Sequence, residues 1–237
     1  MKHFYLWMIF PTLCCCTPDE EVITTIQIGQ LQSKVMINYP ENKANAFDDA
    51  GKLHNELCLA YEFSPTSILT IDEAVSATNT LSLSNQQLSS LTPGAYGPIS
   101  KERLSFIFQN GQNPWQVIEQ SPLSFKGKIS LTNFVSVIEH YKALEKPYDE
   151  FYNFIISYES SVLQDVTLAY SDKQILLTTA SIARYAHYFA SLRKKKPPRD
   201  KDWDANVGSI IAGTEGSQES IVSAIRMSVA GSLYSNK

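Results

Sequence analysis

The residues best suited to chemistry stand in two places. His54, Asn55 and Glu56 are consecutive, with Cys58 one helical turn beyond His54, and Cys14, Cys15 and Cys16 adjoin near the start of the chain. A histidine beside a carboxylate or a thiol is the raw material of acid–base or nucleophilic catalysis. The spacing argues for a structural role instead. Consecutive helix residues point about 100° apart, so His54, Asn55 and Glu56 do not converge on one substrate atom. Cys58 falls on the apolar face of the predicted helix, where a thiol stays protonated and inert. The chain has no H-E-x-x-H pair for zinc, no G-x-S-x-G, no G-x-G-x-x-G and no phosphate-binding glycine loop. No metal and no cofactor is therefore assigned, the catalytic residues are left unknown, and the reading leans away from an enzyme. His140 and His187 are isolated in sequence and read as ordinary helix histidines. Asp202 and Asp204, around Trp203, read equally well as helix caps or as ligands of a cation or sugar.

The cysteine cluster carries a different chemistry. Lys2 and the free amine make a positive start, and Phe4 to Leu13 form an apolar run of ten residues. That suits a secretory leader and falls short of the roughly 20 residues of a membrane-spanning helix. Leu13 stands three before Cys16 and the small Cys15 just before it, which resembles the lipobox of bacterial lipoproteins. Cys16 is the expected acylated residue, with Cys15 as the alternative. Acyl (palmitate-type) chains there would hold the protein at a membrane, at about 0.8 kcal/mol per buried methylene. Asp19, Glu20 and Glu21 resemble the acidic export tag of surface lipoproteins in Bacteroidetes-type bacteria. The leader takes three of the four cysteines, so Cys58 has no intrachain disulfide partner.

Composition narrows the class further. The chain has 237 residues, 43% of them hydrophobic, enough for a packed core. A net charge of -4 argues against a nucleic-acid partner. The basic run Arg193 to Lys196, with Arg199 and Lys201, reads as a solvated helix end, with anionic headgroups or polysaccharide as the functional reading.

The elements that position these residues are helical. Phe47, Gly51, His54, Cys58 and Tyr61 recur at helical spacing, so a helix is predicted from Asn45 to Phe63, with Leu53, Leu57 and Ala60 widening its buried face. One or two helices are expected within 71–91 and a short one at 101–109. A turn-rich piece around Pro114, Pro122 and Gly127 follows, and helices start again at Leu131 and Pro147. Ser171 and Gln174 resemble a capping box in front of a helix with an apolar face from Ile175 to Leu192. The small residues of 202–235 predict a tightly packed helix pair. The fold expected is mainly α: one globular domain of about seven to nine helices, with at most a short strand near Val22 to Ile28. The domain order expected is 1–16 leader, 17–42 polar segment, 43–237 helical domain.

Asn45-Ala46-Phe47-Asp48, with Gly51, His54 and Asn55, resembles the N-P-Y-D-x-x-G-x-x-H-N-x-x-L segment of uncharacterised exported proteins of Bacteroidetes-type bacteria. The small-residue tail is similar to the C-terminal segment of that group. The chain departs from it at Ala46, where proline is usual, and at Cys58, where leucine is usual. The resemblance implies an exported habitat and no particular activity. In the motif, Asp48, Gly51, His54 and Asn55 read as structural. Gly51 costs a helix about 1 kcal/mol, so a close neighbour is expected, and the tail is the predicted one.

The leading expectation is a lipid-anchored, non-enzymatic binding or accessory protein of the cell envelope, at the outer membrane, with a protein or glycan ligand. The alternatives are an envelope hydrolase whose site assembles from distant residues, and a toxin-like protein using its small-residue tail.

Overall fold

The first turn of each helix shows how local chemistry meets tertiary demand. The computed structural model describes residues 39–63, 67–92, 96–109, 113–193 and 205–236. Cys15, Cys16, the expected strand at 22–28, the basic run past Arg193 and Asp202 to Asp204 lie outside them. Among the described residues there are ten helices and no strand. They are α1 (Asp48–Glu62), α2 (Ile71–Ser84), α3 (Gln86–Ser90), α4 (Lys101–Gln109), α5 (Asn113–Gln120), α6 (Phe125–Ala143), α7 (Tyr148–Gln164), α8 (Tyr170–Leu192), α9 (Val207–Ser217) and α10 (Ile221–Ser235). The fold is mainly α, with one helix more than the upper expectation. The difference lies at 113–131, read as turn-rich, where α5 and an earlier start to α6 stand. Pro114 sits in the first turn of α5, where its missing N–H costs nothing.

The capping box forms at a different address. Thr70 Oγ1 accepts from Glu73 N at 3.2 Å, and Glu73 Oε2 accepts from Thr70 N at 2.9 Å, so the box opens α2. Ser171 and Gln174 make none, because α8 begins at Tyr170 behind Ala169. Asp172 is drawn off to tie two helices together. It accepts from Ser124 N at 3.0 Å and from Ser124 Oγ at 2.5 Å, and Ser124 Oγ in turn caps α6 by accepting from Gly127 N.

The core is organised around α8. Every residue from Ile175 to His187 is buried, so this helix is surrounded, whereas the sequence pattern predicts a single apolar face. Thr178, Thr179, Ala180, Ser181 and Ala183 are small enough for neighbours to close in on all sides. α1, α6, α7, α9 and α10 all pack on it. Leu192 at its end is 52% exposed.

The tail forms the predicted pair, from Val207. A methyl group added at Gly213 would stand 3.2 Å from Ser228 Cβ, and one at Gly231 would stand 3.1 Å from Ser209 Cα. The small residues of α9 and α10 thus set a backbone-close crossing. Two arginines fasten this pair to the rest. Arg226 donates to Gly97 O at 2.5 Å and to Asn79 Oδ1 at 2.6 Å, and Arg103 forks onto Glu215 at 2.7 and 2.9 Å. No described helix is long and apolar enough to cross a membrane.

Candidate functional site

The motif helix α1 is held on two sides. Gly51, Leu53, His54, Leu57 and Cys58 are buried, as the periodicity predicts, and Ala50 joins them, whereas Tyr61 is half-buried and Ala60 exposed. The prediction for Gly51 needs correcting. Its close neighbour is α8: a Cβ there would collide with Ser181 and the Tyr185 ring, and Gly51 N donates to Ser181 Oγ at 3.1 Å. The tail meets the same helix three residues on, at His54. His54 Nε2 and Ser232 Oγ share a hydrogen bond of 3.0 Å, and Cys58 Sγ lies 3.7 Å from the same nitrogen. This trio is closed to solvent. Burial pulls the His54 pKa down to about 4 and pushes the Cys58 thiol well above its usual range. Burial thus favours a neutral imidazole and a protonated thiol inside the core. Asn55 stands beside them, half-buried.

The strongest electrostatic feature joins residues that no local pattern brings together. Arg184 on α8 is fully buried, and its Nη2 donates to both Asp48 Oδ1 at the start of α1 and Glu159 Oε1 on α7, the latter at 3.0 Å. Asp48 also accepts from the Tyr185 hydroxyl at 3.2 Å and from Asn42 N at 3.1 Å. Glu159 receives Asn45 Nδ2 on Oε1 at 2.8 Å and Asn42 Nδ2 on Oε2 at 2.6 Å. Burial raises the Glu159 pKa, and the Arg184 charge and the three donors pull against that rise. Burial also works against the Arg184 charge, but Glu159 and Asp48 outweigh it and its pKa rises. Of these residues only Asn45 and Asp48 belong to the motif. Glu159 and Arg184 sit at helix positions that the sequence pattern does not mark.

The remaining histidines separate cleanly. His140 is exposed on α6. His187 is buried and stacked on Phe151 with ring centroids 3.9 Å apart, and burial draws its pKa down to about 3. Arg193, the first member of the basic run, pairs with Glu62 and lies over the Phe189 ring.

A half-open cleft of about 300 Å³ lies between the end of α1 and α2. Tyr61, Ile68, Ala77 and Leu81 give it apolar wall, and Ser76 and Thr80 add hydroxyls. Phe63 and Leu69, close by in sequence, are 83% and 66% exposed. Among the described residues no group of three or more acidic, histidine or cysteine side chains is placed to hold a metal ion. No protein-family model, curated protein or solved structure matches this chain.

Proposed function

We propose that this protein is a lipid-anchored binding or accessory lipoprotein of the cell envelope, acylated at Cys16 and facing outward from the outer membrane. The observation that carries the reading is the run from Lys2 to Cys16: a positive start, ten apolar residues, and leucine three before a cysteine. Asp19, Glu20 and Glu21 support surface display. The half-open cleft beside Tyr61 supports binding, because it offers apolar wall and hydroxyls together, as a protein or glycan ligand requires. The test is processing in the native host. Globomycin treatment accumulates the unprocessed form, and mass spectrometry of the mature protein finds an acylated Cys16 at the N-terminus. A purified protein that retains Met1, or carries a free Cys16 and stays in the soluble fraction, defeats the reading.

The hydrolase reading has one observation in its favour, the Asp48 and Glu159 carboxylates sharing Arg184. Against it, both oxygens of Glu159 accept from protein donors and its side chain is closed to solvent.

A further inference from the structure

The cleft between the end of α1 and α2 sets hydrogen-bond acceptors in an apolar wall. Glu73 lines it together with Tyr61, Ile68, Ala77 and Leu81. Leu69 N and Thr70 N both donate to Glu73 Oε2, at 2.8 and 2.9 Å, which fixes the side chain, while Oε1 takes no hydrogen bond from a described residue. The same two bonds hold the Glu73 carboxyl below the usual carboxylate range, so it stays ionised. Thr80, on the same wall, gives its hydroxyl proton to Ser76 O at 3.2 Å and has lone pairs left to offer. We propose that this cleft takes a lysine or arginine side chain flanked by apolar residues, presented by a protein partner.

Charge and shape select that occupant. No lysine, arginine or histidine stands among the described residues that line the cleft. The charge that bears on Glu73 is that of its neighbour Asp72, of the same sign. The basic side chains that reach the flanks are already paired, Lys101 with Asp72 and Arg193 with Glu62. An ammonium or guanidinium carries donors and no acceptor, which matches Glu73 Oε1 and Thr80 Oγ1. Its alkyl stem packs along Ile68, Ala77 and Leu81. At about 300 Å³ the cleft is at the small end for a ligand pocket, which suits a single long side chain. Phe63 and Leu69, within two residues of lining positions, are largely exposed. They give the apolar neighbours of the basic residue a surface to cover, one that a small free amine leaves bare. A neutral sugar, in turn, brings Glu73 no opposite charge. The inference rests on the reading of this cleft as the binding site and adds the chemistry of its ligand; it does not depend on the lipid anchor.

The test is an NMR titration of the full mature chain carrying Cys16→Ser, followed at the amides of Leu69, Glu73, Ala77 and Leu81. The probes are acetyl-Leu-Arg-Leu-amide, the same peptide with neutral citrulline in place of arginine, and maltose. The arginine peptide is expected to shift these amides with a millimolar Kd, and the citrulline peptide to bind about threefold more weakly. Raising the salt from about 50 mM to about 500 mM removes that preference. Glu73→Gln keeps the capping box, because glutamine serves at that position, and brings the two peptides to equal affinity. Ala77→Lys sets an ammonium one turn after Glu73, where the pair favours the helix, and fills the cleft, so binding falls about tenfold or more. The proposal is overturned if the two peptides bind the wild type equally, if Glu73→Gln leaves the preference intact, if Ala77→Lys binds as the wild type does, or if the shifts fall on other amides. Maltose shifting these amides while the peptides do not also overturns it, and leaves the cleft a binding site for glycan. Silence from all three probes defeats both the inference and the use of the cleft, and leaves acylation at Cys16 to its own test.

Discussion

Glu159 Oε1 lies 3.0 Å from Arg184 Nη2, and both side chains are fully shielded from solvent. The contact links α7 to α8, and Asp48 on the same nitrogen brings in α1. A buried ion pair of this kind adds little net stability over an apolar substitute but punishes the loss of one partner. Arg184→Met is therefore expected to cost about 3–5 kcal/mol, since it leaves the buried Glu159 carboxylate and the partly buried Asp48 without their shared cation. Glu159→Leu added to Arg184→Met should recover part of that loss. Urea denaturation of both variants reads the difference, and equal midpoints for the wild type and Arg184→Met would refute the account.

Gly51 faces the backbone and side chain of Ser181 and the Tyr185 ring, with no room for a methyl group. Gly51→Ala gains helix propensity of about 1 kcal/mol but must push α1 off α8. Overpacking costs about 1–3 kcal/mol and here meets backbone, so net destabilisation is the expected outcome. A raised thermal midpoint would show that the helices part without penalty.

Acid should weaken the fold through its buried histidines. His54 and His187 titrate near 4 and 3 in the folded state against 6.5 unfolded. Below 6.5 the unfolded chain binds protons that the folded chain refuses, so stability falls as pH drops through 6.5 toward 4. Two such groups give a slope of about 2.7 kcal/mol per pH unit in the steepest part. Glu159 opposes them: its raised folded value lets the native state take a proton before the unfolded chain does, which stabilises it as pH falls. His187→Phe, which keeps the stack on Phe151, should roughly halve the histidine slope. Denaturant midpoints between about pH 7 and pH 5 check this, and a flat profile in the wild type counts against it.

Glu145 ends α6 with φ of 51° in the left-handed region, while Glu145 N donates to Lys142 O and Lys146 N to Tyr141 O. That is a glycine position occupied by an exposed side chain. Glu145→Gly should raise stability by about 0.5–1 kcal/mol. A lower thermal midpoint would show that unfolded-state entropy outweighs the relief.

The face of α1 was legible because each residue reports on its helix partners three and four places away, and Leu53, His54, Leu57 and Cys58 all point inward as their spacing requires. The crossing of α9 and α10 was legible for a similar reason, since small residues at every fourth place leave only close packing as a use for that face. Two sequences of capping-box form, Thr70 to Glu73 and Ser171 to Gln174, show the limit. The first caps a helix, while in the second Asp172 is claimed by Ser124 at the cap of another helix and the chain turns helical two residues sooner. The surrounded state of α8 and the meeting of Asp48, Glu159 and Arg184 left no periodic trace at all. Amino-acid order by itself determined most of the segments that coil, the inward face of α1, and an apolar run that ends in cysteine. Tertiary structure alone decided which faces meet, because apolar burial is non-directional and the choice among partners falls to steric fit and to buried charges that must find their counterparts.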